Sequence, residues 1–192
     1  SVDDSRFRAS RPRCTSPAAS SMPPSTAASG LVSTSITSTA TGGMLLVAPS
    51  LSLLKNLTIN NTNGVTMRSA VWLNSRLSLV QGPLNTGTSI LHLNNPANDT
   101  NVLLRLDGWV NGSLSKHYDV GADQAFTYYV GDATVCRPLA YTHLNVSQPG
   151  EMYITFVSGL HPHVATSGLN PAKTLPYYWR RTSVGRFTLA SL

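Results

Sequence analysis

Apolar and polar residues alternate in short stretches between Leu57 and Leu93. Two apolar residues flank one polar residue in four triplets, at 57–59, 71–73, 77–79 and 91–93. Alternation with period two predicts strands with one buried face. Asn and Gly residues, which tolerate the left-handed backbone of tight corners, stand between the triplets. Such short strands predict a β-solenoid, in which the inward residues of each coil pack on the coils above and below.

The spacing of the triplets is close to the length of one solenoid coil. The pairs 57/59 and 77/79 lie 20 residues apart, and the pairs 77/79 and 91/93 lie 14 residues apart. We therefore expect these three triplets to stack on successive coils. The triplet at 71–73 places Trp72 between Val71 and Leu73, so we expect Trp72 to point outward.

The segments before this stretch predict an arm followed by the first coils. Residues 1–29 are rich in Ser, Pro, Ala and Arg and show no periodicity, as in a linker or an arm that docks on a neighbouring subunit. Residues 30–54 turn to alternation of β-branched residues, which predicts the first coils or an edge strand. We expect a solenoid-like domain at 30–96 and a second domain at 97–192.

After the turn-rich residues 94–101, longer strands with more aromatic residues are expected. The predicted strands are Val102–Leu106, Gly108–Ser115, Ala125–Val130, Leu139–Val146, Met152–Val157, Trp179–Thr182 and Phe187–Leu192. Strands at such intervals with Gly, Pro and Asp turns predict an antiparallel β-sandwich. The sequence thus predicts an all-β chain, with a short β-solenoid followed by an antiparallel β-sandwich and an irregular N-terminal arm.

Composition points to an extracellular or cell-surface protein. Charged residues make up 11% of the chain, against a usual figure of about 25%, and Ser, Thr and Asn take their place, as in secreted β-rich proteins. No run of about 20 apolar residues predicts a membrane span. Four arginines between Arg6 and Arg13 could bind nucleic acid, as in a viral coat protein, although a solvated terminus is the favoured interpretation.

The inventory of reactive residues predicts no enzyme and no cofactor. Sugar chemistry by acid and base needs paired carboxylates, yet residues 50–95 contain no Asp or Glu, and Glu151 is the only Glu of the chain. No G-x-S-x-G, phosphate-loop or Cys–His signature occurs. Cys14 and Cys136 form no CxxC pair, which disfavours zinc or redox chemistry and leaves their pairing open.

We also expect no metal site. Three aspartates, Asp119, Asp123 and Asp132, are the best calcium candidates, but they lack D-x-D-x-D spacing, so solvated turn residues are favoured. His143, His161 and His163 could bind zinc or copper, but scattered histidines in a sandwich more often serve surface or packing roles. For Trp109 and Trp179, packing in the hydrophobic core is favoured over a role in stacking on sugars.

Two stretches of the sequence resemble segments of a known protein family. FTYYVGDATVCRP at 126–138 and SGLHPHVATSGLNPAKTLPYYWRRTSVGRFTLASL at 158–192 resemble a module of large secreted surface proteins of Bacteroidota-type bacteria, in which a PVGD-x-T-x-YRP turn precedes an SG(I/L)-x-P-x-K-x-(V/L)-x-x-YW segment and an FT strand. The upstream LKNLTINNTNGVT pattern is similar to their solenoid repeats. Tyr129, Cys136 and Arg180-Arg181 depart from the pattern. The resemblance implies a repetitive, adhesin-like or filament-forming surface protein.

We therefore expect a structural subunit of an extracellular filament, or an adhesin segment, that assembles with copies of itself by β-edge pairing or arm exchange. The final strand stops in mid-alternation, which leaves an edge for a partner. The expected contact residues for self-assembly are Leu31, Val32, Ile36, Phe187, Leu189 and Leu192. The first alternative is a carbohydrate-binding module in which Trp72 contacts a surface glycan. The second is a viral coat protein, with nucleic acid as the less favoured partner.

Overall fold

The computed structural model describes residues 53–97 and 101–187 with their side chains, and only the backbone of 32–37, 43–45 and 188–189. Within these residues the chain forms a 12-stranded sheet system and two short 3₁₀ helices, at Pro162–Thr166 and Pro171–Lys173. The all-β class predicted from the alternation is confirmed, with a β-solenoid of about 4 turns.

The strands follow the chain in this order: β1 Val32–Thr37, β2 Gly43–Leu45, β3 Leu53–Asn60, β4 Val65–Met67, β5 Val71–Gln81, β6 Pro83–Leu93, β7 Leu103–Arg105, β8 Trp109–Tyr118, β9 Gly121–Tyr128, β10 Val130–Gly131, β11 Leu139–Ser158 and β12 Tyr177–Leu189.

Parallel pairing arranges the solenoid around three faces. The first face is formed by β1, β3, the second half of β5, and β7. The second face is formed by β2, β4, the beginnings of β6 and β8, and β10. The third face is formed by the beginnings of β3 and β5 and the ends of β6 and β8. One coil therefore passes each face once.

The 20-residue spacing correctly gives the stacking on the first face, where Leu57 lies opposite Leu77. The 14-residue spacing predicts the wrong neighbour for the triplet 77–79. The triplet 91–93 pairs with 71–73 on the third face, and it is Leu103 that lies opposite Leu77. The reason is that β5 and β6, of 11 residues each, turn a corner and contribute to two faces, so that one coil contains more than one triplet.

Inward-pointing leucines fill the solenoid, and asparagines stack outside it. Leu57, Leu77 and Leu84 are fully buried, as close packing of coil on coil requires. Outside, Asn111 Nδ2 donates to Asn85 Oδ1 at 2.8 Å across adjacent coils, and such amide ladders repeat the backbone pairing in the side chains. Both patterns follow from placing equivalent residues one coil apart.

β11 ends the parallel stack because it runs antiparallel to β8. Its residues Gly150–Thr155 pair with Ser113–Tyr118, and its first half pairs with β9. Strand β12 then pairs antiparallel with β11 along most of its length. The predicted strands 139–146 and 152–157 are thus one strand, and 179–182 and 187–192 belong to one strand that ends at Leu189 in the described residues.

The antiparallel part folds over itself at a corner while remaining in the same sheet as the solenoid strands, and the predicted β-sandwich stays a prediction. Tyr128 lies opposite Leu139, which is 13 residues before Met152, a span of roughly 43 Å in a straight strand. Nevertheless the Tyr128 hydroxyl lies 3.4 Å from the Met152 carbonyl oxygen, so β11 must bend between them. Gly150 lies within this span and allows β12 to approach closely, because a Cβ there would collide with the Val184 carbonyl oxygen. The predicted division of the chain at 96–97 stays a prediction.

The two halves of this bent sheet enclose an aromatic core that contains a histidine. His143 is fully buried, with ring centroids 4.6 Å from Tyr118 and 4.8 Å from Phe187. Neither ring nitrogen has a hydrogen-bond partner within the described part of the chain. Burial, and to a lesser degree the nearby positive charge of Arg181, lower the pKa of His143 below 6.5. The folded protein therefore favours the neutral ring.

Replacing Leu77 by Ala tests the stacked core. Leu77 lies between Leu57 and Leu103 on the first face, and the cavity should lower the free energy of unfolding by about 2–5 kcal/mol. Urea unfolding monitored by circular dichroism measures this loss. The control S78A changes an outward-pointing neighbour and should stay within about 0.5 kcal/mol of the wild type. Equal losses in both variants would contradict the solenoid register.

Replacing His143 by Phe tests the neutral histidine. In the unfolded chain this histidine binds a proton near pH 6.5, whereas in the folded chain its pKa is lower. Wild-type stability should therefore fall as the pH drops below about 6.5 and level off below the folded pKa. The H143F variant should lose part of this decline in urea unfolding between about pH 7 and pH 5. The control H163F changes an exposed histidine, and a decline of the same size in H143F and the wild type would refute the assignment.

Candidate functional site

Five side chains gather on the outer surface of the third face, and we call them the Glu151 cluster: Trp72, His92, Ser115, Glu151 and Tyr153. The register places Trp72 opposite His92, His92 opposite Ser115, and Ser115 opposite Tyr153. Their neighbours along the strands, such as Leu73, Leu91 and Ile154, are buried. Period-two alternation therefore turns all five side chains to one side of the sheet.

The Glu151 carboxylate is the centre of the cluster. Its Oε2 atom accepts hydrogen bonds from Ser115 Oγ at 2.6 Å and His92 Nδ1 at 2.9 Å. A hydrogen bond with the Tyr153 side chain adds a third contact. The His92 ring stacks on the Trp72 ring at 4.5 Å with an interplanar angle of 8°, and it meets the Tyr153 ring edge-on at 6.0 Å. These contacts join strands β5, β6, β8 and β11.

Two opposing effects set the pKa of Glu151. Burial alone raises it, because a low-dielectric environment disfavours the charged form. The hydrogen bonds from Ser115, His92 and Tyr153 stabilise that charged form and together outweigh burial, so the pKa lies below 4.5. Glu151 is therefore a carboxylate at neutral pH, held by donors from three strands.

The geometry of the cluster fits cross-linking of strands better than nucleophilic catalysis. A catalytic serine hydrogen-bonds to the histidine that takes its proton, whereas Ser115 and His92 both bond to the same oxygen of Glu151. Three donors also occupy most of the lone pairs that a carboxylate offers. The cluster thus fixes β11 against the last coil of the solenoid.

Trp72 points outward, as the alternation predicts, and it is half-buried. One face of its indole ring is covered by His92, and the ladder places Leu53 at the same register on the other side. A sugar ring stacks on a free aromatic face, and His92 already occupies one of the two faces of the Trp72 ring. Its role as a glycan contact stays a prediction.

The second candidate site is the open edge of β12. This strand pairs with β11 and with no other strand in the described residues. The Val184 carbonyl points toward β11, since a Cβ at Gly150 would meet it. Backbone groups alternate in direction along a strand, so the N–H and C=O of Ser183 point away from β11, toward the edge where another strand would pair.

The β12 edge is positively charged. Arg180, Arg181 and Arg186 are exposed, and the strand contains no acidic residue. Arg181 reaches the Tyr141 hydroxyl at 2.6 Å and so also packs against the first half of β11. Charged side chains on an edge strand discourage pairing with an edge of the same charge.

The predicted self-assembly residues fall at the two ends of the sheet path that runs from β1 to β12. Val32 and Ile36 belong to β1, of which only the backbone is described, and Leu189 is the last residue of β12. Leu31 and Leu192 lie outside the described residues. The Phe187 ring packs on Tyr118 and His143, so this side chain serves the core, and its role in assembly stays untested.

The predicted metal candidates are spread over several elements of the described structure. Asp132 Oδ1 accepts hydrogen bonds from the Thr134 and Val135 N–H groups and so closes its own turn. His161 and His163 flank Pro162 at the start of a 3₁₀ helix, with ring centroids 5.3 Å apart. Among the described residues, no group of three or more His, Cys, Asp or Glu side chains is placed to hold a metal ion.

Sequence reasoning singled out Trp72 but not its partners. His92 stands between Leu91 and Leu93, so its outward direction was readable from the alternation. Its partner Glu151 lies 59 residues further along the chain, and no local pattern connects the two. The one feature of the sequence that could have drawn attention to Glu151 is that it is the only Glu of the chain.

No protein-family model matches this chain, and no curated protein or solved structure matches it either. The resemblance to Bacteroidota-type surface proteins therefore stays a prediction. None of the helices in the described residues is long and apolar enough to cross a membrane.

The E151Q variant tests the Glu151 cluster. The amide removes the negative charge that three donors share, so the variant should lose about 1–3 kcal/mol of stability at pH 7. Because the folded pKa is below 4.5, this contribution is present above pH 4.5 and is lost as the pH falls through the folded pKa. Urea unfolding of both proteins at pH 7 and about pH 3 measures the difference. A loss of the same size at both pH values would show that the charge is irrelevant.

Proposed function

We propose that the chain is a structural segment of an extracellular or cell-surface assembly, an adhesin or a filament subunit, that joins its partner through the open edge of β12. The observation that carries the proposal is the one-sided pairing of β12, a strand of 13 residues, within the described part of the chain. An added strand would gain main-chain hydrogen bonds along this edge, and side chains at alternate positions would set the register.

Composition and architecture support a structural role. Few charged residues and stacked coils are typical of secreted fibrous segments. The polar cluster around Glu151 is occupied by contacts within the chain, which favours a mechanical function over a catalytic one. The resemblance to large bacterial surface proteins adds an expectation in the same direction.

The glycan-binding alternative has weaker support from the geometry, because His92 covers one face of Trp72. The coat-protein alternative depends on the arginines between Arg6 and Arg13, which lie outside the described residues. We therefore keep strand addition at β12 as the proposed mechanism.

The S183P variant tests the proposed edge. Proline removes the Ser183 N–H, which points to the open side where an edge strand tolerates proline. Wild-type protein should associate as its concentration rises, and S183P should lose this association in sedimentation velocity and electron microscopy. The control S183A keeps the N–H and should associate like the wild type.

Circular dichroism and thermal unfolding establish that S183P remains folded. A wild-type protein that stays monomeric at millimolar concentration and captures no added β-strand peptide would overturn the proposal. Normal association of a folded S183P would exclude the β12 edge as the contact.

A further inference from the structure

The two ends of the sheet path differ in charge. β12, at one end, has exposed arginines at 180, 181 and 186 and no acidic residue. β1, at the other end, has the sequence VSTSIT. It lies within a longer uncharged stretch, since the chain has no Asp, Glu, Lys, Arg or His between Arg13 and Lys55.

This difference bears on which edges can meet. When two β12 edges pair about a two-fold axis at Ser183, Arg180 of each copy lies opposite Arg186 of the other. Like charges placed directly opposite on neighbouring strands destabilise the pair. An uncharged edge brings no such repulsion, and β1 is an uncharged strand at the other end of the same path, with β3 as its one partner in the described residues.

We propose that copies of this chain join head to tail, with β12 of one copy pairing with β1 of the next, and that the arginines of β12 exclude the symmetric β12–β12 pair. The inference rests on the proposed strand addition at β12 and names its partner. A contact between two different edges does not close on itself unless the rotation happens to form a ring, so it produces an open filament with a direction.

The arginines thereby act as a selection device. They leave main-chain pairing with a neutral edge available, and they oppose pairing with a second positive edge. Salt should distinguish the two contacts, because screening weakens repulsion between exposed charges. Head-to-tail association should change little with salt, whereas a β12–β12 contact should strengthen as salt rises.

Two variants that each block one end test the inference by complementation. S183P blocks β12 and leaves β1 free. The double variant S33K/S35K places positive charges on β1, at the register positions of Asn56 and Thr58, and leaves β12 free. We expect each variant alone to stay monomeric in sedimentation velocity, and an equimolar mixture to form a one-to-one dimer that grows no further.

The matched controls are S183A and S33A/S35A, which should assemble into filaments like the wild type. Dimers of S33K/S35K alone would overturn the inference, because they require β12 to pair with itself. The inference would also be overturned if the mixture stays monomeric while wild-type protein assembles. Strand addition at β12 would then involve a partner strand other than β1.

Wild-type protein provides a second measurement that needs no variant. Its association constant should stay within about a factor of three between low and high salt, where the screening length falls from roughly 30 Å to 3 Å. An increase of tenfold or more would indicate the symmetric contact and overturn the inference. Absence of wild-type association at any salt, together with failure to capture an added β-strand peptide, would instead overturn the proposed function itself.

Discussion

The antiparallel pairing of β11 with β8 is the constraint on which the rest of the structure depends. A parallel solenoid offers its last coil as a template for another coil. Here Gly150–Thr155 occupy the edge of β8 in the opposite direction, and parallel stacking on the third face ends. The Glu151 carboxylate fixes this junction, because it holds donors from β6 and β8 on the first antiparallel strand. The bend of β11 and the course of β12 follow from it.

The junction also determines which surfaces remain for partners. By ending the stack on the third face, it makes β12, a strand with three exposed arginines, the last strand of the sheet path in the described residues. The opposite end keeps the uncharged β1. The longest path through the sheet thus ends, in the described residues, in two strands with different chemistry, and this difference is what the proposed head-to-tail contact uses. The bend has a cost as well, since it encloses His143 without a hydrogen-bond partner in the described residues.

Much of the fold was predictable because alternation along a strand shows in the sequence which residues share a face. The triplet Leu57-Thr58-Ile59 buries both of its apolar residues, and Trp72 and His92 point outward as their buried neighbours require. The Glu151 cluster was not predictable in the same way. Its members come from four strands, and the closest pair along the chain, apart from Glu151 and Tyr153, is Trp72 and His92, 20 residues apart. Nothing local links Ser115 to a glutamate 36 residues later.

The sequence by itself determined the class of structure, the face on which each alternating residue lies and the uncharged character of β1. These are local properties, set by the two-residue period of a strand and by side-chain type. Only the tertiary structure decided that 91–93 stacks on 71–73, that β11 reverses the direction of pairing and that the arginine-bearing β12 has no second partner strand in the described residues. Such outcomes depend on how many residues turn each corner and on hydrogen bonds between distant strands, and neither is encoded in the alternation.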